Sequence, residues 1–260
     1  MGWLMPLLAL AACGAHAPMA SPYLTLDGNW VIVGTSNATP PAPTTPIAMF
    51  TGALKSDGWY VTGTMRAFDP DLANPCVPYT QDLPVTGSMG LDEPNYLSLL
   101  FVVEGGSADI SAVFGSNLQT PTAGMMAVIL GPCKMATTNM TITLVAPVTG
   151  TYSGRLTGFN SPGTSASVTA VLTQATEPDA DGRFPLTGSV TTTGVCPGTY
   201  SLAPEVVTGG TIVATGTPPF PSANITGAIL LPTANIQASV AIYNVNCLSA
   251  PILDGTLTRQ

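Results

Sequence analysis

Apolar and polar residues alternate with a period of two along much of the chain. Ala108, Ile110, Ala112 and Phe114 fall on one face of a stretch whose other face carries Asp109, Ser111 and Val113. Met140, Ile142 and Leu144 alternate with Thr141 and Thr143. Trp59, Val61, Gly63 and Met65 alternate with Tyr60, Thr62 and Thr64. This is the pattern of a half-buried strand. Turn residues separate such stretches every ten residues or so. In the second half the pattern predicts strands near residues 152–157, 167–174, 184–192, 202–207, 211–215, 225–230, 236–243 and 252–258. No convincing 3.6-residue period occurs beyond the first thirteen residues. Thr is about one residue in seven, and its branched Cβ suits a pleated surface. The fold class is therefore all-β, two tandem antiparallel units of about eight strands each, arranged as meander barrels or two-sheet sandwiches.

The two units read as one unit written twice. Gly28-Asn29-Trp30 lines up with Gly150-Thr151-Tyr152. Val61-Thr62-Gly63-Thr64-Met65 lines up with Leu186-Thr187-Gly188-Ser189-Val190, and Ala108–Ala112 with Ala223–Gly227. Cys76 and Cys133 meet Cys196 and Cys247, and Leu144 meets Leu257. The common order of these matches points to a duplication with a domain-sized period. It sets the units at residues 23–146 and 147–260. Gly63 and Gly188 fall inside strands, where glycine marks a bend or a close approach of backbones. Residues 39–46 (TPPAPTTP) read as an extended loop inserted in the first unit.

Residues 1–13, MGWLMPLLALAAC, are apolar almost throughout. The run is too short to span a bilayer and fits the apolar region of a signal peptide. Its end, Leu10-Ala11-Ala12-Cys13 followed by Gly14, resembles the lipobox of bacterial lipoproteins, although no Lys or Arg precedes the run. The resemblance implies a signal peptide over 1–12, a lipidated Cys13, and a tether over 13–22. The alternative is an ordinary signal peptide cut near Ala17, which would discard Cys13. Removing Cys13 leaves an even set of four cysteines, suited to two disulfides in an oxidising compartment. The pairing that respects the repeat is Cys76–Cys133 and Cys196–Cys247. Gly-x-Trp at residues 28–30 also resembles the opening of lipocalin-type barrels.

Composition narrows the function classes. Charged residues are 8% of the chain, about a third of the usual share. Six Lys and Arg against fourteen Asp and Glu, net −8, exclude nucleic acid as a partner, because neutralising phosphates takes clustered cations. The single histidine, His16, lies in the tether, so the folded body lacks a His-based catalytic group. No nucleophile elbow, phosphate loop or zinc-ligand set occurs, and no cofactor is implied. Glu177, Asp179 and Asp181, followed by Gly182, resemble the first half of a calcium loop. Gly188 stands where the closing Glu of that loop would be. Asp-Gly is an ordinary hairpin signal, so the hairpin is the reading taken, with a surface Ca²⁺ site as the lesser option. Trp30, Trp59, Tyr60 and Tyr152 read as core aromatics before they read as cavity walls.

Three functional readings follow. The first is an envelope lipoprotein anchored through Cys13, outer membrane first. It would act as a structural or interaction module toward an envelope protein, a glycan or an apolar ligand. The second is a lipocalin-like carrier with an apolar cavity near Phe101, Phe114, Met125 and Met126. The third is a carboxylate-dependent glycoside hydrolase, which needs two acids facing one another across a groove.

Overall fold

The structure, a computed structural model, describes residues 26–35, 46–68, 82–90, 96–103, 106–114, 121–130, 133–159, 163–231, 233–247 and 251–260. Cys13, the tether with His16, the Pro-rich loop up to residue 45, and Cys76 lie outside the described residues, as does the side chain of Cys133.

Every regular element among the described residues is a strand. The first sheet contains β1 (Gly28–Thr35), β2 (Pro46–Asp57), β3 (Tyr60–Phe68), β4 (Asp82–Met89), β5 (Tyr96–Val103), β6 (Gly106–Phe114), β7 (Pro121–Leu130), β8 (Cys133–Thr137) and β9 (Met140–Val145). The second contains β10 (Gly150–Gly158), β11 (Ser165–Gln174), β12 (Phe184–Thr193), β13 (Gly198–Leu202), β14 (Glu205–Thr208), β15 (Thr211–Ala214), β16 (Ser222–Leu230), β17 (Asn235–Tyr243) and β18 (Ile252–Arg259). Two tandem β units are thus present, with nine strands each among the described residues where the pattern gave about eight, and every pairing is antiparallel except the short parallel contact of β13 with β16.

In the first sheet, β1 to β8 form a meander, and β9 returns to pair with β1. The sheet curls until its ends nearly meet. The Thr137 hydroxyl at the end of β8 donates to the Thr35 carbonyl at the end of β1, and Thr35 N–H donates to Asn139 O at 2.8 Å. Inward residues fill the interior. Trp30, Ile32, Phe50, Leu54, Met65, Leu99, Phe101, Ile110 and Phe114 share one core, and the Phe50 and Phe101 rings stand 4.5 Å apart. The Trp30 indole N–H donates to Leu26 O at 2.7 Å, so its polar edge is satisfied inside that core.

The second unit closes on itself. β10, β11, β12, β13, β16, β17 and β18 pair in succession, and β18 pairs back to β10. Between β12 and β16 the wall forks. One end is filled by β13 and the other by the hairpin β14–β15, which pairs with β12 on one side and β16 on the other. The pattern gave residues 202–207 as one strand. They are two, because Pro204 has no N–H to give a ladder and ends the run. The alternation is cleanest on β11, where Ala166, Val168, Ala170, Leu172 and Gln174 are buried and the residues between them are exposed.

Both units join their first strand to their last, and Gly63 and Gly188 sit on the third strand of each. A Cβ at Gly63 would stand 2.1 Å from Ala53 O, and one at Gly188 2.1 Å from Val171 O. The neighbouring strand passes through the space a side chain would need, which is the close approach that tightly coiled sheets require. The expected burial fails at Leu144. It is 46% exposed, while Val145 is buried. The register on β1 is unbroken, with Leu144 opposite Trp30 and Val145 opposite Asn29. Leu144 is left at the cleft, and Val145, on the other face, is covered by the core of the second unit.

Candidate functional site

The seam between the units is built from specific contacts. The hairpin β14–β15 ends in the two-residue turn Gly209-Gly210, and Gly209 has φ +52°, a left-handed conformation that glycine adopts without strain. This turn presses on the outer face of β1 and β2, where a Cβ at Gly209 would stand 2.5 Å from that of Thr51. The Asn29 amide reads the Gly209 backbone on both sides. Its Nδ2 donates to Gly209 O at 2.8 Å, and its Oδ1 accepts from Gly209 N–H at 2.7 Å. Thr51 and Thr208 hydroxyls pair beside it at 3.4 Å. The connecting segment is also fastened. Val148 is buried in the second core and donates its N–H to Gln174 Oε1 at 3.1 Å.

Asn29 is 2% exposed, so its loss leaves two buried backbone groups unpaired. Asn29→Ala is expected to lower stability by about 2–3 kcal/mol in chemical denaturation. Asn29→Asp is expected to cost more, since it sets an acceptor against the Gly209 carbonyl and buries a charge.

Two cavities open along this seam. The larger, about 680 Å³, lies between β1–β3 with the end of β9 and the turn joining β11 to β12. Leu54, Leu144 and Phe184 give it apolar wall, Thr62 and Thr64 give hydroxyls, and Lys55 stands on the rim. The smaller, about 320 Å³, has Arg66 and Arg183 in its lining. Both arginines are already engaged. Arg66 makes two 2.9 Å bonds to Asp82, and Arg183 binds Asp179 and Asp181.

That engagement decides how the acidic turn is built. Asp179 Oδ1 accepts from the N–H groups of Asp181 and Arg183 at 3.0 and 2.9 Å, and its Oδ2 accepts from Arg183 Nε at 3.1 Å. The residues singled out for calcium thus form an arginine-clamped turn. Glu177 lies on the cleft wall instead. Among the described residues no three His, Cys, Asp or Glu side chains converge on one point. Asp27 also reaches the cleft, with Oδ1 accepting from Ser56 N–H at 2.7 Å and from the Ser56 hydroxyl at 3.1 Å. Acid pairs acting on glycosides need oxygens free for substrate. Asp179 has both oxygens engaged by neighbours, and Asp27 has its Oδ1 engaged.

Of the aromatics, Trp30 and Tyr152 are core residues. Trp59 and Tyr60 are not. Tyr60 is 57% exposed, and its ring lies against that of Trp59 with centroids 3.8 Å apart. Of the residues named for an apolar cavity, Phe101, Phe114 and Met126 are packed in the first core, and Met125 is on the surface.

Cys196 and Cys247 are bonded, with Cα atoms 5.9 Å apart. They tie the β12–β13 turn to the β17–β18 loop, at the mouth of the second barrel away from the seam. Phe159, Phe220 and Val245 project from loops at that same mouth. Sequence reasoning did not pick out Asn29, Gly209 or Glu205 as structural keys. Glu205 is 3% exposed, and burial pushes its carboxyl up to about 8 against the opposing hydrogen bond from Ile225 N–H. Its signal in the sequence was an acid set directly before Val206 and Val207.

No family model, no curated protein and no solved structure matches the chain.

Proposed function

We propose that this chain is a bacterial envelope lipoprotein and a binding module, held to a membrane through Cys13 and offering the cleft between its two β units to a ligand. The observation that carries the binding reading is the cleft itself. Side chains fill the interiors of both units, the second core taking in Ala53 and Val145 of the first unit as well, while about 680 Å³ of mixed apolar and hydroxylic space opens between the units. A carrier of the lipocalin type would hold its ligand inside a barrel. A ligand of this protein instead meets walls from both units.

The Cys196–Cys247 bond supports an oxidising, extracytoplasmic location. The shared place of Gly28-Asn29-Trp30 and Gly150-Thr151-Tyr152 at the head of the first strand supports an origin by duplication, as does the first-to-last strand pairing in each unit. On the same logic Cys76 pairs with Cys133.

The test is the intact mass of the protein extracted from its native membrane, with and without reductant. The expected mass is that of residues 13–260 plus a diacylglycerol group and an acyl chain, with a gain on reduction of two hydrogens for each of two disulfides. A mass without acyl addition would remove the anchor from this reading. A gain for one bond alone would remove the Cys76–Cys133 pair.

A further inference from the structure

The aromatic pair and the cleft belong to one continuous surface. On β3, Tyr60, Thr62 and Thr64 share the outer face, because strand side chains alternate, while Val61 and Met65 point into the core. Residues directly opposite across an antiparallel pair present their side chains on the same face. Tyr60 is opposite Asp57 on β2 and Ser88 on β4, and Thr62 is opposite Lys55 and Thr86. The result is a shallow track. It starts at the exposed Tyr60 ring, crosses a rung of Lys55, Thr62 and Thr86, and enters the cleft, where Lys55, Thr62 and Thr64 are wall residues.

We infer that this track binds a neutral glycan chain, an inference that rests on the binding-module reading and assigns its ligand class. An exposed aromatic ring offers a flat apolar face to the C–H face of a sugar ring, and Tyr adds a hydroxyl at its edge. Trp59 lies against Tyr60, and its own backbone is fixed by Met89 N–H, which donates to Trp59 O at 2.7 Å. The platform is thus ordered before any ligand arrives, which lowers the entropy cost of binding. The next rung offers two threonine hydroxyls, which donate and accept, and an ammonium donor. That mixture suits sugar hydroxyls. Tyr60 to Thr64 spans about 13 Å at strand rise, a length that favours a chain over a single sugar. Charge excludes the acidic alternatives. The protein carries net −8 with six cations in all, so a polyanionic glycan meets a repulsive field.

The experiment is calorimetric titration of the detergent-solubilised full chain with hexasaccharides of glucose, mannose, galactose and N-acetylglucosamine, and with polygalacturonate. At least one neutral hexasaccharide is expected to bind saturably. Tyr60→Ala is expected to weaken it about tenfold, and Tyr60→Phe by about twofold or less. Tyr60 is on the surface, so neither change should disturb folding, and a melting curve checks this. Binding that Tyr60→Ala leaves unchanged would overturn the site. Preference for polygalacturonate, or no binding to any neutral hexasaccharide, would overturn the ligand class. The intact-mass measurement reads the anchor independently, so loss of the glycan assignment and loss of the lipoprotein reading are told apart.

Discussion

Between pH 4.5 and about 8, the wild-type protein is expected to lose stability steadily relative to Glu205→Gln. The cause lies at the fork in the second barrel. β16 pairs with β17 along one edge. Along its other edge, β13 reaches residues 222 and 223, and β15 reaches 227 and 228. Ile225 N–H falls in the gap. Glu205, at the start of β14, fills it, with Oε1 accepting that N–H at 2.6 Å. Among the described residues its second oxygen, Oε2, is buried without a partner. An ionised carboxylate there would carry an unpaired charge out of water, so the folded protein keeps the proton.

The sign follows from linkage. In the unfolded chain Glu205 ionises near its ordinary value of 4.5, and in the folded protein near about 8. Below pH 4.5 both states hold the proton, and the stability is fully present. Between the two values only the folded state holds it, so stability falls by about 1.4 kcal/mol per pH unit. Across the window the loss is roughly 3–5 kcal/mol, complete as the pH passes about 8. Glu205→Gln keeps an acceptor for Ile225 N–H and carries no proton to lose. Urea unfolding of both proteins from pH 4 to pH 9 should show curves that begin close together and diverge upward in pH. Parallel curves would show that the carboxyl is not held neutral.

Removing the Cys196–Cys247 bond is expected to cost about 4 kcal/mol. The bond spans 51 residues, and loop closure of that size restricts the unfolded chain by about this amount. It joins two loops at one barrel mouth, so the folded strands keep their pairings without it. The double variant Cys196→Ser, Cys247→Ser should therefore remain folded and unfold at lower denaturant. Reductant should shift the wild type toward the variant and leave the variant's midpoint unchanged, apart from any contribution of the other cysteines. A double variant as stable as the wild type would show that the bond does not form in the folded protein.

Much of the fold was written in the alternation. On β6 and β11 every second residue is buried, and both strands could be placed from apolar spacing alone. The Cys196–Cys247 pairing was legible because the expected repeat supplied a rule for choosing among connectivities. What failed did so for local reasons. Pro204 divides a run whose side chains alone suggest continuity. Leu144 keeps its place in the alternation but lies at the cleft, whereas Val145 is covered by the second unit. The seam was not legible at all. Asn29 makes its two bonds to a residue 180 positions away, and no periodicity within a strand reports such a pairing. Tyr60 read first as a core aromatic and is instead exposed beside Trp59, on the face that runs into the cleft, because a place at the start of β3 next to a turn leaves the ring uncovered.

The hairpin β14–β15 belongs to two structures at once. Its strands complete the wall of the second barrel, and its turn is the piece that Asn29 grips on the first unit. The hairpin therefore couples the seam to the wall of the second barrel. Swinging the units apart would pull on a wall strand that also holds Glu205 against Ile225. On the binding reading proposed above, a ligand would meet two walls already pinned together by this hairpin, and selection would rest on fit.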